Sequence, residues 1–371
     1  MIVVQVITRL IVGGAQLSVL RLSEALVQAG YDVRIVTGPQ EGPEGSLRAQ
    51  AAAIAPVTVV PALVREIDPL QDLRAVGALR RLFGRLRPAL IHTHSSKAGI
   101  VGRLAAPRGP ALVHTVHGWG HTPGDPAARR DALVRAERLA ARRTDALITV
   151  SESVRAEGER LGIGRPEQYR VIPEFVDYRP VDPDFAKARA RARERLGLAG
   201  DTEVFGWVGR FVEQKDPETV GAVLAAALGA RPAARAVLVG DGPLRPLVAR
   251  ALAPFGERVL FTGLRTDARE LYAAFDVLLH PSLWEGQPRV IQEALAERVP
   301  VVASRVIGTE GLLTGGVTGV EVAPRDVRGF VDGLLRGPRA PLPAEAIAGL
   351  AASNGIPRAS AAHLELFESL L

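Results

Sequence analysis

Residues Val277-Leu278-Leu279-His280 are followed directly by Pro281-Ser282-Leu283-Trp284-Glu285-Gly286-Gln287-Pro288, and the chain continues Arg289-Val290-Ile291-Gln292-Glu293-Ala294. The apolar beginning predicts a short buried strand, and Glu285-Gly286-Gln287-Pro288 predicts a turn. A helix is expected to begin near Pro288, because proline suits the first helical turn. Strand, turn and helix in this order are the building unit of an α/β fold.

The same stretch carries two carboxylates, Glu285 and Glu293, eight positions apart. Glu285 is expected in the turn beyond the strand, and Glu293 more than one turn into the helix. In an open parallel sheet, ligands bind beyond the carboxyl ends of the strands, and a helix amino end favours an anion such as phosphate. We therefore expect the two carboxylates to accept hydrogen bonds from ligand hydroxyls. The bare spacing also fits a solvated turn glutamate and a helix-surface glutamate.

The rest of the chain alternates strand and helix patterns in the same way. Strand candidates in the first half are 2–7, 33–36, 57–60, 90–93, 112–116 and 146–150. Candidates in the second half begin at Val204, Ala236, Val259, Val299 and Gly319. This alternation predicts the α/β class, with parallel sheets covered by helices on both sides. A length of 371 residues favours two domains.

Composition excludes several kinds of protein and of site. The chain has no cysteine, so disulfides and thiolate metal sites are excluded. No apolar run approaches the ~20 residues of a membrane-spanning helix. Residues 1–7 are too short and lack the charged leader of a secretory signal, so we expect a cytoplasmic protein. Asp182-Pro183-Asp184 matches an Asp-x-Asp metal pattern by letter, but its proline and the following helix indicate a helix cap.

Positive charge is concentrated in the first half of the chain. Residues 1–175 carry a net charge of +7, whereas the remainder carries −1. Such a patch fits anionic lipid or a phosphorylated substrate better than nucleic acid, because no nucleic-acid motif accompanies it. Residues 70–87 have an amphipathic helix pattern, with Leu73 and Phe83 on the apolar side and Arg81 and Arg85 on another face. This pattern fits a helix packed on the sheet and a helix lying on a membrane equally well.

Pro281-Ser282-x-x-Glu285-Gly286, followed by Glu293-Ala294, resembles the signature of the family 4 glycosyltransferases, which are retaining, nucleotide-sugar-dependent enzymes of the GT-B fold. The resemblance covers nearly the whole chain and implies two Rossmann-like domains facing a cleft. The implied domains are 1–175, on the acceptor side, and 176–357, which binds the donor. The last segment, 358–371, is expected to be a helix that crosses back to the first domain.

The resemblance also implies where the donor diphosphate lies. Gly13 and Gly14, after the first strand, match the family's glycine pair against the diphosphate, although a plain strand-to-helix turn gives the same letters. Arg210 and Lys215, after the strand that begins at Val204, match the family's Gly-Arg…Lys pattern. A guanidinium and an ammonium suit a leaving diphosphate. The alternative is a pair of solvated loop cations.

The other donor contacts implied by the resemblance lie in the second half. Glu293 is expected on ribose hydroxyls, Glu285 on donor-sugar hydroxyls, and Gly263 beside the nucleobase. Further donor-site residues are Gly286, Gln287, Pro288 and Arg289. Gln287-Pro288-Arg289 departs from the family's commonest Phe-Gly-x-Pro version, so we expect Arg289 to influence the choice of sugar or acceptor.

Three features of the first half bear on the acceptor and the transferred sugar. His117 occupies the family's histidine-or-aspartate position close to the donor sugar, although a lone histidine is more often structural. His92 and His94 lie in a His-x-His-Ser-x-Lys-Ala-Gly stretch that family members with lipid-linked acceptors often carry. We expect these two rings on opposite faces of the strand, which disfavours a metal pair. Glu174-Phe175 replaces Asn-Gly of the family's Pro-Asn-Gly-Val-Asp turn, so the geometry of this turn stays open.

The resemblance implies a retaining hexosyltransferase that uses a nucleoside diphosphate sugar of UDP or GDP type, and we expect it to act in cell-surface polysaccharide or glycolipid assembly. The catalytic residues implied are His117, Glu285, Arg210 and Lys215. No metal and no cofactor are expected. The expected acceptor is a sugar or lipid-linked sugar, with an anionic membrane surface nearby and the enzyme peripheral to the inner membrane face. The alternatives are a nucleotide-sugar epimerase of the same fold, which needs no acceptor, and a sensor that binds nucleotide sugar without turnover.

Overall fold

The apolar runs of the sequence form two separate parallel sheets in the computed structural model, which describes residues 1–40, 45–122 and 124–371. The chain divides into two units, each with its own sheet. Unit 1 consists of Met1–Phe175 together with Ile356–Leu371, and unit 2 is Val176–Gly355. All the strand pairings in both sheets are parallel. The predicted α/β class with parallel sheets is confirmed.

Strands and α-helices alternate along the described part of unit 1 up to its last strand. They are β1 (Ile2–Ile7), α1 (Gly14–Gln28), β2 (Asp32–Thr37), α2 (Arg48–Ile54), β3 (Val57–Val59), α3 (Pro69–Leu86), β4 (Leu90–His94), α4 (Ser96–Ala105), β5 (Ala111–Val116), α5 (Ala127–Ala141), β6 (Ala146–Thr149), α6 (Glu152–Arg160) and β7 (Tyr169–Val171). The sheet order is β3-β2-β1-β4-β5-β6-β7, so the chain changes direction across the sheet between β1 and β4. Ligands of open α/β sheets bind beyond the carboxyl ends of the strands at such a point.

Unit 2 repeats this plan with a six-stranded sheet. Its elements are α7 (Phe185–Arg195), β8 (Val204–Val208), α8 (Pro217–Ala230), β9 (Arg235–Val239), α9 (Arg245–Leu252), β10 (Val259–Gly263), α10 (Ala268–Leu271), β11 (Val277–His280), α11 (Arg289–Ala296), β12 (Val301–Ser304), β13 (Gly319–Val322), α12 (Val327–Arg336) and α13 (Ala344–Asn354). The order β10-β9-β8-β11-β12-β13 changes direction between β8 and β11. The final helix, α14 (Ile356–Leu370), belongs to unit 1, where Leu366 and Phe367 join the core around β1 and β5.

Helix α3 corresponds to the predicted amphipathic segment. Its buried side consists of Ala75, Leu79, Leu82 and Phe83. Leu73, expected on that side, is 70% exposed, and Leu70 is 69% exposed. The expectation for Leu73 is wrong because the buried residues of α3 begin only at Ala75. Within the described ranges, no helix combines the length and the apolar character needed to span a membrane.

Candidate active site

In unit 2, several predicted donor residues follow the two central strands of the sheet. Arg210 is exposed in the loop after β8, and Lys215 ends a short 3₁₀ helix, Glu213–Lys215, in the same connection. Glu285 lies in the loop between β11 and α11, and Pro288 is the N-cap residue of α11. Because β8 and β11 are neighbours in a parallel sheet, the loops at their carboxyl ends share one edge.

Glu285 is held at this edge by three side chains. Lys215 Nζ donates to Glu285 Oε1 over 2.5 Å, and His280 Nε2 lies 3.0 Å from the same oxygen. Gln214 Nε2 donates to Glu285 Oε2 over 3.3 Å. The Glu285 side chain is only 7% exposed and that of Lys215 15%. A solvated turn glutamate and a solvated loop lysine are therefore both ruled out.

The charges around Glu285 fix its protonation. Burial alone would raise the pKa of Glu285, but the ammonium of Lys215 and the ring of His280 lower it to about 2. Burial and the nearby Lys215 lower the pKa of His280 below its usual value, so His280 is neutral at pH 7. Since an ionised carboxylate only accepts, neutral His280 donates from Nε2 to Glu285. The cluster is thus an ammonium–carboxylate pair oriented by a neutral imidazole.

Glu293, the second carboxylate of the motif, lies on α11 and is held by two donors. Tyr272 Oη donates to Glu293 Oε2 over 3.2 Å, and Arg289 Nη2 donates to Oε1 over 3.4 Å. Tyr272 is fully buried, and its pKa is raised well above 10 by burial and by the charge of Glu293, so the hydroxyl keeps its proton. The Glu293 side chain is 21% exposed, which leaves it accessible to a ligand.

Glycines shape the backbone beside these carboxylates. Gly308, in the loop after β12, has φ +88°, and a Cβ there would lie 2.0 Å from the carbonyl oxygen of Gly286. The turn of Glu285 and Gly286 therefore packs against backbone that only glycine permits. Gly263, the predicted nucleobase neighbour, is the last residue of β10 and has φ +71°. Gln287, between the turn and the helix, is half-buried.

In unit 1, Gly13 and Gly14 form the entrance of α1. Gly13 is the N-cap residue, with extended backbone, and Gly14 is the first helical residue. They follow β1, next to the point between β1 and β4 where the strand order changes direction. A helix amino end favours an anion, and a diphosphate contact at Gly13 and Gly14 stays a prediction.

His117 follows β5 and has a hydrogen-bond partner on each ring nitrogen. Nδ1 lies 2.7 Å from Glu174 Oε1, and Nε2 lies 3.1 Å from His94 Nδ1. Ser18 on α1 donates to the other oxygen of Glu174. Glu174 and Ser18 are buried, and the His117 side chain is 12% exposed. A contact between His117 and a sugar stays a prediction.

The expectation that His92 and His94 point to opposite faces is wrong. Their ring centroids are 4.0 Å apart, because residues two positions apart in a strand share one face. Burial lowers the pKa of both rings well below 6.5. His92 contacts Thr115 Oγ1 over 2.7 Å and His94 contacts the amide of Gln5 over 2.7 Å. Among the residues that the structure describes, no group of three or more His, Asp or Glu side chains could hold a metal ion.

Four residues around Glu285, Glu293 and His117 were not predicted as site residues from the sequence: Glu174, His280, Tyr272 and Gly308. Two left a signal. Glu174 was visible as a departure from the expected turn, and His280 as a polar residue ending a buried strand beside the motif. Tyr272 and Gly308 gave none, since their roles depend on contacts between segments distant in sequence.

Comparison with protein families gives two adjacent matches. Residues 13–174 match the family described as glycosyl transferase 4-like domain, and residues 202–337 match glycosyl transferases group 1. The first match lies in unit 1 and the second in unit 2.

Two relatives match most of the chain. The UDP-Gal:alpha-D-GlcNAc-diphosphoundecaprenol alpha-1,3-galactosyltransferase of Escherichia coli is 31% identical over 286 residues, which are 75% of this chain and 73% of the relative. The D-inositol 3-phosphate glycosyltransferase of Actinosynnema mirum is 30% identical over 376 residues, covering 92% of this chain and 88% of the relative.

Solved structures share the fold at lower identity. HepE of Anabaena, in complex with UDP and glucose, superposes with a TM-score of 0.82 at 22% identity and covers 99% of both chains. Sucrose-phosphate synthase of Thermosynechococcus elongatus gives a TM-score of 0.82 at 24% identity, covering 100% of this chain and 99% of the other.

Proposed function

Because this chain belongs to the group 1 glycosyltransferases of the GT-B fold, we propose that it transfers a hexose from a uridine diphosphate sugar to a lipid-linked acceptor sugar, with retention of anomeric configuration. The observation that carries this proposal is the buried cluster of Lys215, Glu285 and His280 in unit 2. In this cluster a cation lies beside a carboxylate that can accept hydrogen bonds from hydroxyls, where the strand order changes direction between β8 and β11.

The cluster suits both parts of a nucleotide sugar. An ammonium has three N–H donors, so Lys215 can contact a diphosphate while it keeps its bond to Glu285. Ionised Glu285 accepts hydrogen bonds from sugar hydroxyls, and Glu293 accepts them from ribose hydroxyls. The choice of a uridine nucleotide is supported by the E. coli relative, whose donor is UDP-Gal, and by HepE, which binds UDP.

The chemical demand is to stabilise the departing diphosphate while positive charge develops on the sugar ring. Arg210, Lys215 and the amino end of α11 supply positive potential from unit 2. Each such contact contributes a few kcal/mol at the transition state, on the order of what one oxyanion donor gives. The proposal includes no covalent intermediate and no metal cofactor.

Unit 1 is proposed to bind the acceptor and an anionic membrane surface. The E. coli relative acts on a diphosphoundecaprenol-linked sugar, which is a membrane lipid. At the start of α3, Ile67, Leu70 and Leu73 are 63%, 69% and 70% exposed. Arg81 and Arg85, further along the helix, are exposed as well. Exposed apolar residues beside arginines fit insertion into an anionic interface.

A transfer assay tests the catalytic part of the proposal. The protein is incubated with UDP-hexoses and a polyprenyl-diphosphate N-acetylglucosamine acceptor, and the new linkage is assigned by NMR. We expect an α-linked product from an α-linked donor. An inverted product contradicts retention, an altered sugar released without acceptor indicates an epimerase, and nucleotide binding without product indicates a sensor.

Co-sedimentation with anionic liposomes at low salt tests the membrane part. Replacing Arg81 and Arg85 by glutamine is expected to release the protein from the liposomes, because each basic residue near the surface contributes about 1 kcal/mol. Arg250→Gln, an exposed arginine of α9 in unit 2, is the control and should have no effect. Equal binding of the double variant and the wild type contradicts a role for α3.

A further inference from the structure

A chain of hydrogen bonds links five polar side chains of unit 1 below the carboxyl edge of its sheet. It runs from Ser18 to Glu174, then through His117 and His94 to Gln5. These residues come from α1, the loop after β7, the loop after β5, β4 and β1. All of them are buried except His117, whose side chain is 12% exposed. His117, the partly accessible member, is therefore held directly by buried Glu174 and His94, which are held in turn by buried Ser18 and Gln5.

The donors and acceptors in this chain determine where His117 carries its proton. An ionised carboxylate only accepts, so the 2.7 Å contact to Glu174 Oε1 requires a proton on Nδ1 of His117. His94 is neutral, since burial lowers its pKa well below 6.5, and has a single N–H. With the Gln5 amide oxygen facing His94 Nε2, His94 donates to Gln5 and accepts at Nδ1 from His117, which then donates from both ring nitrogens. With the amide reversed, His94 donates to Nε2 of His117. Both orientations leave the proton on His117 Nδ1.

The two bonds of His117 differ in strength. The contact between Nδ1 and Glu174 is short and involves a charged acceptor, which makes it roughly twice as strong as a neutral hydrogen bond. The contact between Nε2 and His94 is 3.1 Å long and joins His117 to a neutral ring. A ligand hydroxyl that approaches His117 therefore replaces His94 at Nε2 and leaves the bond to Glu174 intact.

We propose that Glu174 is a positioning residue that reserves Nδ1 of His117 and so makes Nε2 the nitrogen that meets the transferred sugar. The inference rests on the proposed function and on the expectation, drawn from the family resemblance, that His117 lies close to the donor sugar. A carboxylate suits this role because, once ionised, it only accepts hydrogen bonds. An asparagine amide is neutral and can donate as well as accept, so it would not impose one tautomer on the ring.

The test of the tautomer needs no substrate. The full chain, labelled with ¹⁵N-histidine, contains seven histidines, and His117→Gln identifies the signals of His117. We expect wild-type His117 to carry its proton on Nδ1. Glu174→Ala should lose this preference, while the matched control Ser18→Ala, which removes the hydroxyl but keeps the carboxylate, should preserve it. A wild-type ring protonated only on Nε2, or an unchanged spectrum in Glu174→Ala, overturns the proposal.

Kinetics test the consequence for transfer. Removing a group that orients a metal-ligating histidine typically costs 10–100-fold, and we expect Glu174→Ala to lower kcat by about the same factor. Its affinity for UDP should be unchanged. Adding His117→Gln should cause little further loss, because the two residues act as one unit. Glu174→Gln, which keeps the size of the side chain and an acceptor, should lose less and guards against a folding defect.

The outcomes separate this inference from the proposed function. If the wild type transfers no sugar, the proposed function fails, while the ¹⁵N spectra still decide the tautomer. If the wild type transfers sugar and Glu174→Ala is equally active, the positioning role is wrong even where the tautomer changes.

Discussion

Each unit holds a buried carboxylate against a histidine ring, and the two pairs have different surroundings. In unit 2, Glu285 Oε1 is shared between His280 and the ammonium of Lys215. In unit 1, Glu174 divides its oxygens between His117 and the hydroxyl of Ser18. The histidine of unit 2 is buried and orients the carboxylate, whereas the histidine of unit 1 is partly accessible and is oriented by the carboxylate.

A glutamate–histidine pair therefore has a different role in each unit, and the group beside the carboxylate decides which role it is. Where the carboxylate has an ammonium beside it, the pair offers an anion site and a hydroxyl acceptor together, as a nucleotide sugar requires. Where the carboxylate has a hydroxyl beside it, its remaining hydrogen-bonding capacity fixes the tautomer of a ring. Three predictions test this distinction.

The largest effect is expected from Lys215→Met. This change leaves the Glu285 carboxylate buried without its ammonium, which should cost about 3–5 kcal/mol of stability. Loss of the cation should lower kcat for transfer by roughly 10²–10³-fold. Urea unfolding and the transfer assay measure the two effects, with Arg250→Met as the surface control. A decrease in kcat of less than tenfold would mean that groups other than Lys215 stabilise the departing diphosphate.

The second prediction concerns the pH at which each unit unfolds. The pKa of His363 is lowered from 6.5 to about 4 by burial, so unit 1 loses up to about 3 kcal/mol as the pH falls through that interval and the unfolded chain takes up the proton. Four more rings in unit 1 act in the same direction: His92, His94, His114 and His121. Glu285 has a pKa of about 2 instead of 4.5, so its protonation lowers the stability of unit 2 only when the pH falls below 4.5.

Unit 1 should therefore unfold at a higher pH than unit 2. Hydrogen exchange followed by mass spectrometry reports on the peptides of each unit separately. His363→Gln should move the unfolding of unit 1 to lower pH without affecting unit 2. His280 in unit 2 also has a lowered pKa, so a common midpoint for both units would mean that this one ring outweighs the five of unit 1.

The smallest effect is expected from Tyr272→Phe. It removes the hydroxyl that donates to Glu293 and should raise the dissociation constant for UDP a few-fold, since one hydrogen bond contributes about 0.5–1.5 kcal/mol. Titration calorimetry measures the change, and Tyr31→Phe in unit 1 is the control. A larger loss of kcat than of affinity would assign Tyr272 to the reaction rather than to nucleotide binding.

The two clusters also differ in how far the sequence predicted them. Glu285 and Lys215 lie in patterns of fixed spacing beside apolar strands, so both their position and their chemistry were visible. Their direct contact was not, because 70 residues separate them. His117 and Glu174 are 57 residues apart in sequence, and Glu174 lies where the resemblance predicts an asparagine. Their hydrogen bond could therefore not be predicted. Alternating apolar runs predicted the fold, but strand β7, in which Arg170 separates Tyr169 from Val171, has no apolar run to recognise.

The most direct test is a calorimetric titration of the wild type, Glu293→Ala and Glu174→Ala with UDP, GDP and their hexose conjugates. The central claim is that unit 2 binds the nucleotide through its paired carboxylates, while Glu174 acts only through His117. We predict micromolar binding of UDP to the wild type, a loss of about tenfold or more in Glu293→Ala, and no change in Glu174→Ala. Absence of nucleotide binding, or equal losses in both variants, would contradict the account.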